Sequence, residues 1–235
     1  MRDGWGMAFY QGKDVELFRE PVAASTSPLV TFLEHQGPST TLAISHIRHA
    51  TQGGISLANT QPFMRELGGH VHVFAHNGDL PAINRASNLA YDRFRPVGTT
   101  DSEHAFCALL ERLVVPGDSP SLEVRLKILA EFAEELLELG SANFLYADGD
   151  TLFAFGDRRM QSDTDNIPAP GLYLYSCRCE DEIEHIHTQG VSLVPGYQEV
   201  VLVASVPLTG DSSLWRPFYE GELLALSDGR IVGKN

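Results

Sequence analysis

Along two stretches of the chain apolar residues recur at steps of three and four; elsewhere they alternate or gather in short runs. In the first stretch Ala105, Phe106, Leu109, Leu110, Leu113 and Val114 form one stripe, the spacing of a helix face. Ahead of it Thr100-Asp101-Ser102-Glu103 fits a capping box, with Thr100 at the N-cap and the Glu103 side chain reaching back. This helix is predicted to end near Pro116-Gly117. The second stretch covers roughly Ser121 to Leu139, buries Leu122, Leu126, Leu129, Phe132, Ala133, Leu136 and Leu137, and stops at Gly140. Glu131, Glu134, Glu135 and Glu138 read as its solvated face.

The remaining pattern is that of strands, short and β-branched or aromatic, bounded by Gly, Pro or Asn. They are predicted at 6–10, 41–47, 70–75, 143–147, 151–155, 172–176, 199–204, 222–226 and 230–232. Asp148-Gly149-Asp150 suggests a hairpin turn. Asp157 to Gly171, with Pro168 and Pro170, reads as a surface loop. Strands, then two helices, then strands lack the regular alternation of a parallel doubly wound sheet. The pattern favours an α+β sandwich of antiparallel sheets covered by helices, and at 235 residues the chain reads as one domain, 1–235.

Composition narrows the function. A formal charge of -14, from 17 Lys+Arg against 31 Asp+Glu, leaves no basic surplus for phosphates, so no nucleic-acid partner is expected. No apolar run approaches the ~20 residues needed to cross a bilayer, and the N-terminus lacks the character of a signal peptide. A soluble, cytoplasmic protein without a membrane partner is the expectation. Cys107, Cys177 and Cys179 are too few and uneven for a disulfide framework.

Four segments place small, polar and charged residues where plain strands would not need them: Asp3-Gly4-Trp5-Gly6, His46-Ile47-Arg48-His49-Ala50-Thr51, Asn59-Thr60-Gln61-Pro62-Phe63 and Ala75-His76-Asn77-Gly78-Asp79-Leu80. Each alone has a plain explanation. Asn77-Gly78 after a strand is a tight-turn signal; Arg48 could be a strand-end arginine, and Asp101 an acidic first-turn residue at the positive end of its helix.

In this order, and with Val203-Ala204-Ser205-Val206-Pro207-Leu208-Thr209, Trp215 and Gly221-Glu222 downstream, the segments resemble the class II glutamine amidotransferases. These are Ntn hydrolases that cleave the side-chain amide of glutamine, and the likeness is nearest to the stand-alone subgroup. The resemblance implies an Ntn-hydrolase αββα sandwich of two antiparallel sheets flanked by helices, with the first strand missing. It implies that Arg48 pairs in two-pronged fashion with the α-carboxylate of glutamine, which its planar fork suits. Asp101 would hold the α-ammonium, and Thr51 and, more weakly, Gln52 would assist at the carboxylate end. Asn77 and Gly78 would form the oxyanion hole, for which a strained tight turn is a natural way to aim a backbone N–H outward. No cofactor or metal is implied. The ligand would be glutamine or a γ-glutamyl compound, with a partner protein that accepts ammonia and self-association into a homo-oligomer both left open.

In that family a first-residue cysteine attacks the amide and its own α-amino group serves as base. Here the chain starts Met1-Arg2, and the first cysteine is Cys107, on the apolar stripe of a helix and without a free amino group. The family's first strand and the loop before Asp3 are likewise not in the sequence. A start assigned at an internal methionine, a shortened chain, or a natural relative that only binds an amino acid would each explain this. The first two fit better, because a mere binder does not need oxyanion donors beside a carboxylate clamp. As written, the chain is expected to release no ammonia.

Two alternatives remain. A hydrolase of the γ-glutamyl amide of a larger metabolite would use the same clamp. Cys177-Arg178-Cys179 with His185 and His187 invites a zinc reading, but one intervening residue in a strand turns the two thiols to opposite faces. His76 is expected to support its turn rather than to transfer protons.

Overall fold

The computed structural model of the protein describes residues 3–49, 53–114, 120–159, 169–179 and 198–235. Within them the chain forms β1 (Gly4–Gln11), β2 (Asp14–Glu20), α1 (Pro28–Gln36), β3 (Ala43–Arg48), β4 (Phe63–Leu67), β5 (His70–Asp79), α2 (Asp101–Leu113) and α3 (Leu122–Leu139). There follow β6 (Ser141–Ala147), β7 (Leu152–Gly156), β8 (Arg158–Arg159), β9 (Ala169–Pro170), β10 (Tyr173–Cys179), β11 (Gln198–Ala204), β12 (Arg216–Pro217), β13 (Glu222–Ser227) and β14 (Arg230–Lys234). Every pairing recorded among them is antiparallel.

A six-stranded sheet in the order β14-β13-β7-β6-β5-β4 is the centre of the molecule. Alternation along its strands assigns each face a partner. On β5, Phe74 points to one side and joins Phe106, Leu109, Phe132 and Phe144 beneath α2 and α3. Val73 and Ala75 point to the other side and meet Ala8, Tyr10 and Ile44 of the sheet β2-β1-β3. Next to them Ala154, Leu224 and Leu226 pack on Leu172 and Leu174, which carry the sheet β11-β10-β12. The outer face of β1 is covered by α1 through Trp5, Phe9 and Leu33. Each fully buried Phe or Leu contributes about 1.5–3 kcal/mol relative to exposure, so the α2–α3 layer is the largest store of hydrophobic stabilisation. The result is the Ntn-hydrolase αββα sandwich. No helix of the described residues is long and apolar enough to cross a membrane.

Several local expectations need correction. Asn77-Gly78 is not a turn, since β5 runs through both residues and pairs them with Asn143 and Ala142. The hairpin turn of this region is Gly68-Gly69, where φ is 65° and 79°, a left-handed conformation that favours glycine. Gly78 is instead needed for space, because a Cβ there would lie 1.9 Å from the Ser141 carbonyl oxygen. Thr100 does cap α2, its Oγ1 accepting from Glu103 N at 3.3 Å. Glu103, however, turns away from the box and accepts from Val97 N (3.1 Å), Gly98 N (2.7 Å) and Arg65 (2.5 Å). The helix ends at Leu113, ahead of Pro116-Gly117, which lie outside the described residues. Within the expected loop 157–171, the described ends pair as β8 and β9. The sequence pattern had not suggested α1, which Ser27 caps by accepting from Val30 N at 3.2 Å, nor β2 and β4.

Candidate active site

Three elements end together. β3 presents His46 and Arg48 on the same buried face, β5 presents Asn77 and Gly78 at its exposed end, and α2 begins with Asp101. Cross-links hold these ends in place. His46 Nε2 lies 3.1 Å from Asn77 Oδ1, joining β3 to β5. Leu80 N, just past β5, donates to Asp101 Oδ2 at 2.8 Å, and Ser102 N donates to Oδ1 at 2.7 Å. Asp101 is thus fixed by two backbone N–H groups at the positive end of a helix, where a carboxylate is stabilised as an anion.

Arg48 is 4% exposed and its guanidinium donates to Gly53 O at 3.2 Å. The loop that carries Gly53 is tied to the start of α2 by Asn59. Its Nδ2 donates to Gly54 O (3.0 Å) and to Thr99 Oγ1 (3.3 Å), and its Oδ1 accepts from Thr99 N (2.8 Å). Gln61 makes a second tie, donating from Nε2 to His76 O at 3.0 Å and accepting from His76 N at 2.6 Å. It caps β5 on the side where β4 does not reach. Asn143 holds the end of the site from β6, accepting from Asp157 N at 2.8 Å and donating to Arg158 O at 3.0 Å. The Asn59 to Phe63 segment stood out in the sequence without an assigned task; its task is this bracing. His46 and Asn143 were not foreseen as site residues, and only the position of His46 two residues before Arg48 could have signalled it.

Burial makes the site's histidines weak bases. It pushes His46 down to about 4, with nearby His76 and Arg48 acting in the same direction while the bond to Asn77 opposes them. His76 is also pushed down by burial, against the pull of Asp101 and Asp79; its Nδ1 lies 3.0 Å from Ser102 Oγ. Both rings and Asn77 line a cavity of about 70 Å³ between the sheets, together with Val203, Ala204 and Ser205.

Of the residues expected from the sequence, Arg48, Asn77, Gly78 and Asp101 come together at this end of the sandwich. Thr51 and Gln52 lie outside the described residues, as do His185 and His187. Cys107 is fully buried in α2 and burial pushes its thiol up to about 11, so it is neither accessible nor ionised at neutral pH.

The whole chain, residues 1–235, matches the family model described as glutamine amidotransferases class-II. It is 33% identical over 223 residues to an Escherichia coli protein named as a glutamine amidotransferase, YafJ, covering 94% of this chain and 83% of that one. A Methanocaldococcus jannaschii protein is 32% identical over 99% of this chain, which spans only 63% of it. The crystal structure of a predicted glutamine amidotransferase from Pseudomonas aeruginosa superposes with a TM-score of 0.72 at 30% identity, over 99% of this chain and 87% of that one. An allosteric regulatory enzyme of purine biosynthesis shares the fold at a TM-score of 0.63 and 18% identity, over 100% of this chain and 43% of its own. The chain belongs to the class II glutamine amidotransferases.

Proposed function

We infer that this end of the sandwich binds the glutamyl part of glutamine, or of a γ-glutamyl compound, and presents its side-chain amide to a thiol nucleophile. Arg48 takes the α-carboxylate, Asp101 the α-ammonium, and Thr51 and Gln52 assist at the carboxylate. Asn77 Nδ2 and Gly78 N–H receive the oxyanion of the tetrahedral intermediate, each such donor being worth about 10² to 10³ in rate. The observation that carries the reading is the row of backbone N–H groups along one edge of β5. His76 N is taken by Gln61 and Leu80 N by Asp101; strand alternation sends the Gly78 N–H between them to the same edge.

None of Cys107, Cys177 and Cys179 has a free α-amino group to serve as its own base. The thiol nucleophile of the proposed reaction is therefore none of these three. Titration calorimetry with L-glutamine and L-glutamate tests the binding. Arg48→Lys should weaken it at least tenfold by replacing a two-pronged fork with a point charge, and Asp101→Asn should do the same from the opposite end. Binding that ignores both substitutions refutes the clamp. Ammonia release from the 235-residue chain would refute the exclusion of its cysteines.

A further inference from the structure

His46 is buried beside the candidate donors, and the reaction outlined above leaves it without a task. We propose that His46 is a positioning residue whose Nε2–H donates to Asn77 Oδ1, holding the Asn77 carboxamide with Nδ2 turned toward the substrate. This rests on the oxyanion role of Asn77.

A carboxamide has nearly the same shape either way round. With Oδ1 outward it would repel an oxyanion, and with Nδ2 outward it would stabilise one. Among the described residues no side chain other than His46 hydrogen-bonds the Asn77 carboxamide, so the ring decides the orientation. If Asn77 Oδ1 faces the ring, Nε2 must carry the proton and Nδ1 keeps a lone pair. In the reverse arrangement Nδ1 carries the proton. Nδ1 is buried and meets no hydrogen-bond partner among the described residues. An N–H without an acceptor is a rarer defect inside a protein than a lone pair without a donor. The Nε2–H form and the Nδ2-outward amide therefore go together.

The surroundings keep the ring in the neutral state that this needs. Burial is the main cause; Arg48, two residues along the same face of β3, and the ring of His76 on β5 add to it, against the Asn77 bond and the His76 backbone carbonyl, which favour the charged ring. A charged ring would also compete with Arg48 for the substrate carboxylate.

Nitrogen-15 NMR of the full 235-residue chain tests the assignment without any substitution. The expected spectrum has His46 protonated at Nε2 only, between about pH 8 and pH 5. A proton on Nδ1 overturns the proposal. His46→Phe removes the donor and should drop the Asn77 side-chain order parameter from the rigid range to below about 0.6, while His46→Gln restores a donor and the order with it. Unchanged order in His46→Phe sinks the positioning role even where the fold survives. Glutamate binding on the same samples separates the two readings: absent binding with the expected His46 spectrum sinks the assignment of the site, and present binding with a proton on Nδ1 sinks this inference alone.

Discussion

Acid should weaken this fold through its neutral buried histidines, and His72 permits the effect to be measured singly. His72 is 8% exposed on β5. Its Nε2 donates to Leu67 O at 3.1 Å, and its Nδ1 lies 2.6 Å from Tyr146 Oη, which suits a neutral ring with one donor and one acceptor nitrogen. Burial pushes its pKa from 6.5 down to about 4, the bond to Leu67 opposing. Because the folded value is the lower one, the unfolded chain binds the proton first, so stability is whole above about pH 6.5 and is lost as pH falls toward 4. A shift of about 2.5 units amounts to ~3.4 kcal/mol in all, of which roughly 2 kcal/mol is lost by pH 5. His46 carries a shift of the same direction and size. Asp148 opposes them, since burial raises its carboxyl to about 6 and acidification relieves that charge. A double difference removes these companions. Urea unfolding of the parent and of His72→Gln, each at about pH 8 and pH 5, should show the variant losing roughly 2 kcal/mol less on acidification, whatever the substitution costs at either pH. Equal losses in both proteins would refute the claim that burial holds this ring neutral.

Asn59→Ala removes three hydrogen bonds between the Gly53-Gly54 loop and the start of α2. It should cost about 2–3 kcal/mol in denaturant unfolding and weaken glutamate binding at least tenfold; full binding would show that the brace is irrelevant to the clamp. Glu103→Ala strips Arg65 and the Val97 and Gly98 N–H groups of their acceptor inside the fold, for an expected loss of about 3 kcal/mol, and an unchanged unfolding midpoint would contradict it. Gly78→Ala drives a Cβ against the backbone of Ser141 and should destabilise by about 1–3 kcal/mol, read as a lowered melting temperature. A variant as stable as the parent would mean that β5 and β6 are not as close here as the geometry states.

What could be read from the sequence was local. The cap at Thr100, the stop at Gly140 and the two apolar stripes define α2 and α3, because a helix closes its bonds within a few residues and its signals lie within that span. Glu103 shows the limit of such signals. The residue stands where a capping box needs it, yet its carboxylate finds Arg65, 38 residues away, together with two loop N–H groups. Three partners outcompete one, and only the folded chain brings them there. α1 escaped notice because it buries only Leu33 and so has no stripe to detect.

The misreading of Asn77-Gly78 follows the same logic and bears on the site. As a dipeptide it favours a turn, since both residues tolerate positive φ. In the fold β6 lies alongside and offers a ladder, and the close approach of Ser141 makes glycine necessary for a steric reason rather than a conformational one. The consequence for chemistry is an improvement on the turn. A strand fixed at His76 by Gln61, at Asn77 by Asn143 across the ladder and at Leu80 by Asp101 has little freedom left at Gly78. An oxyanion donor is effective to the extent that it needs no reorganisation when charge develops, and a braced strand end meets that demand better than a free hairpin tip. The same bracing explains why the residues around the site are uncharged carboxamides. Gln61, Asn59 and Asn143 each donate and accept at once, so they bridge backbone groups of both kinds without adding a charge beside Arg48 and Asp101, the two groups proposed to hold the substrate.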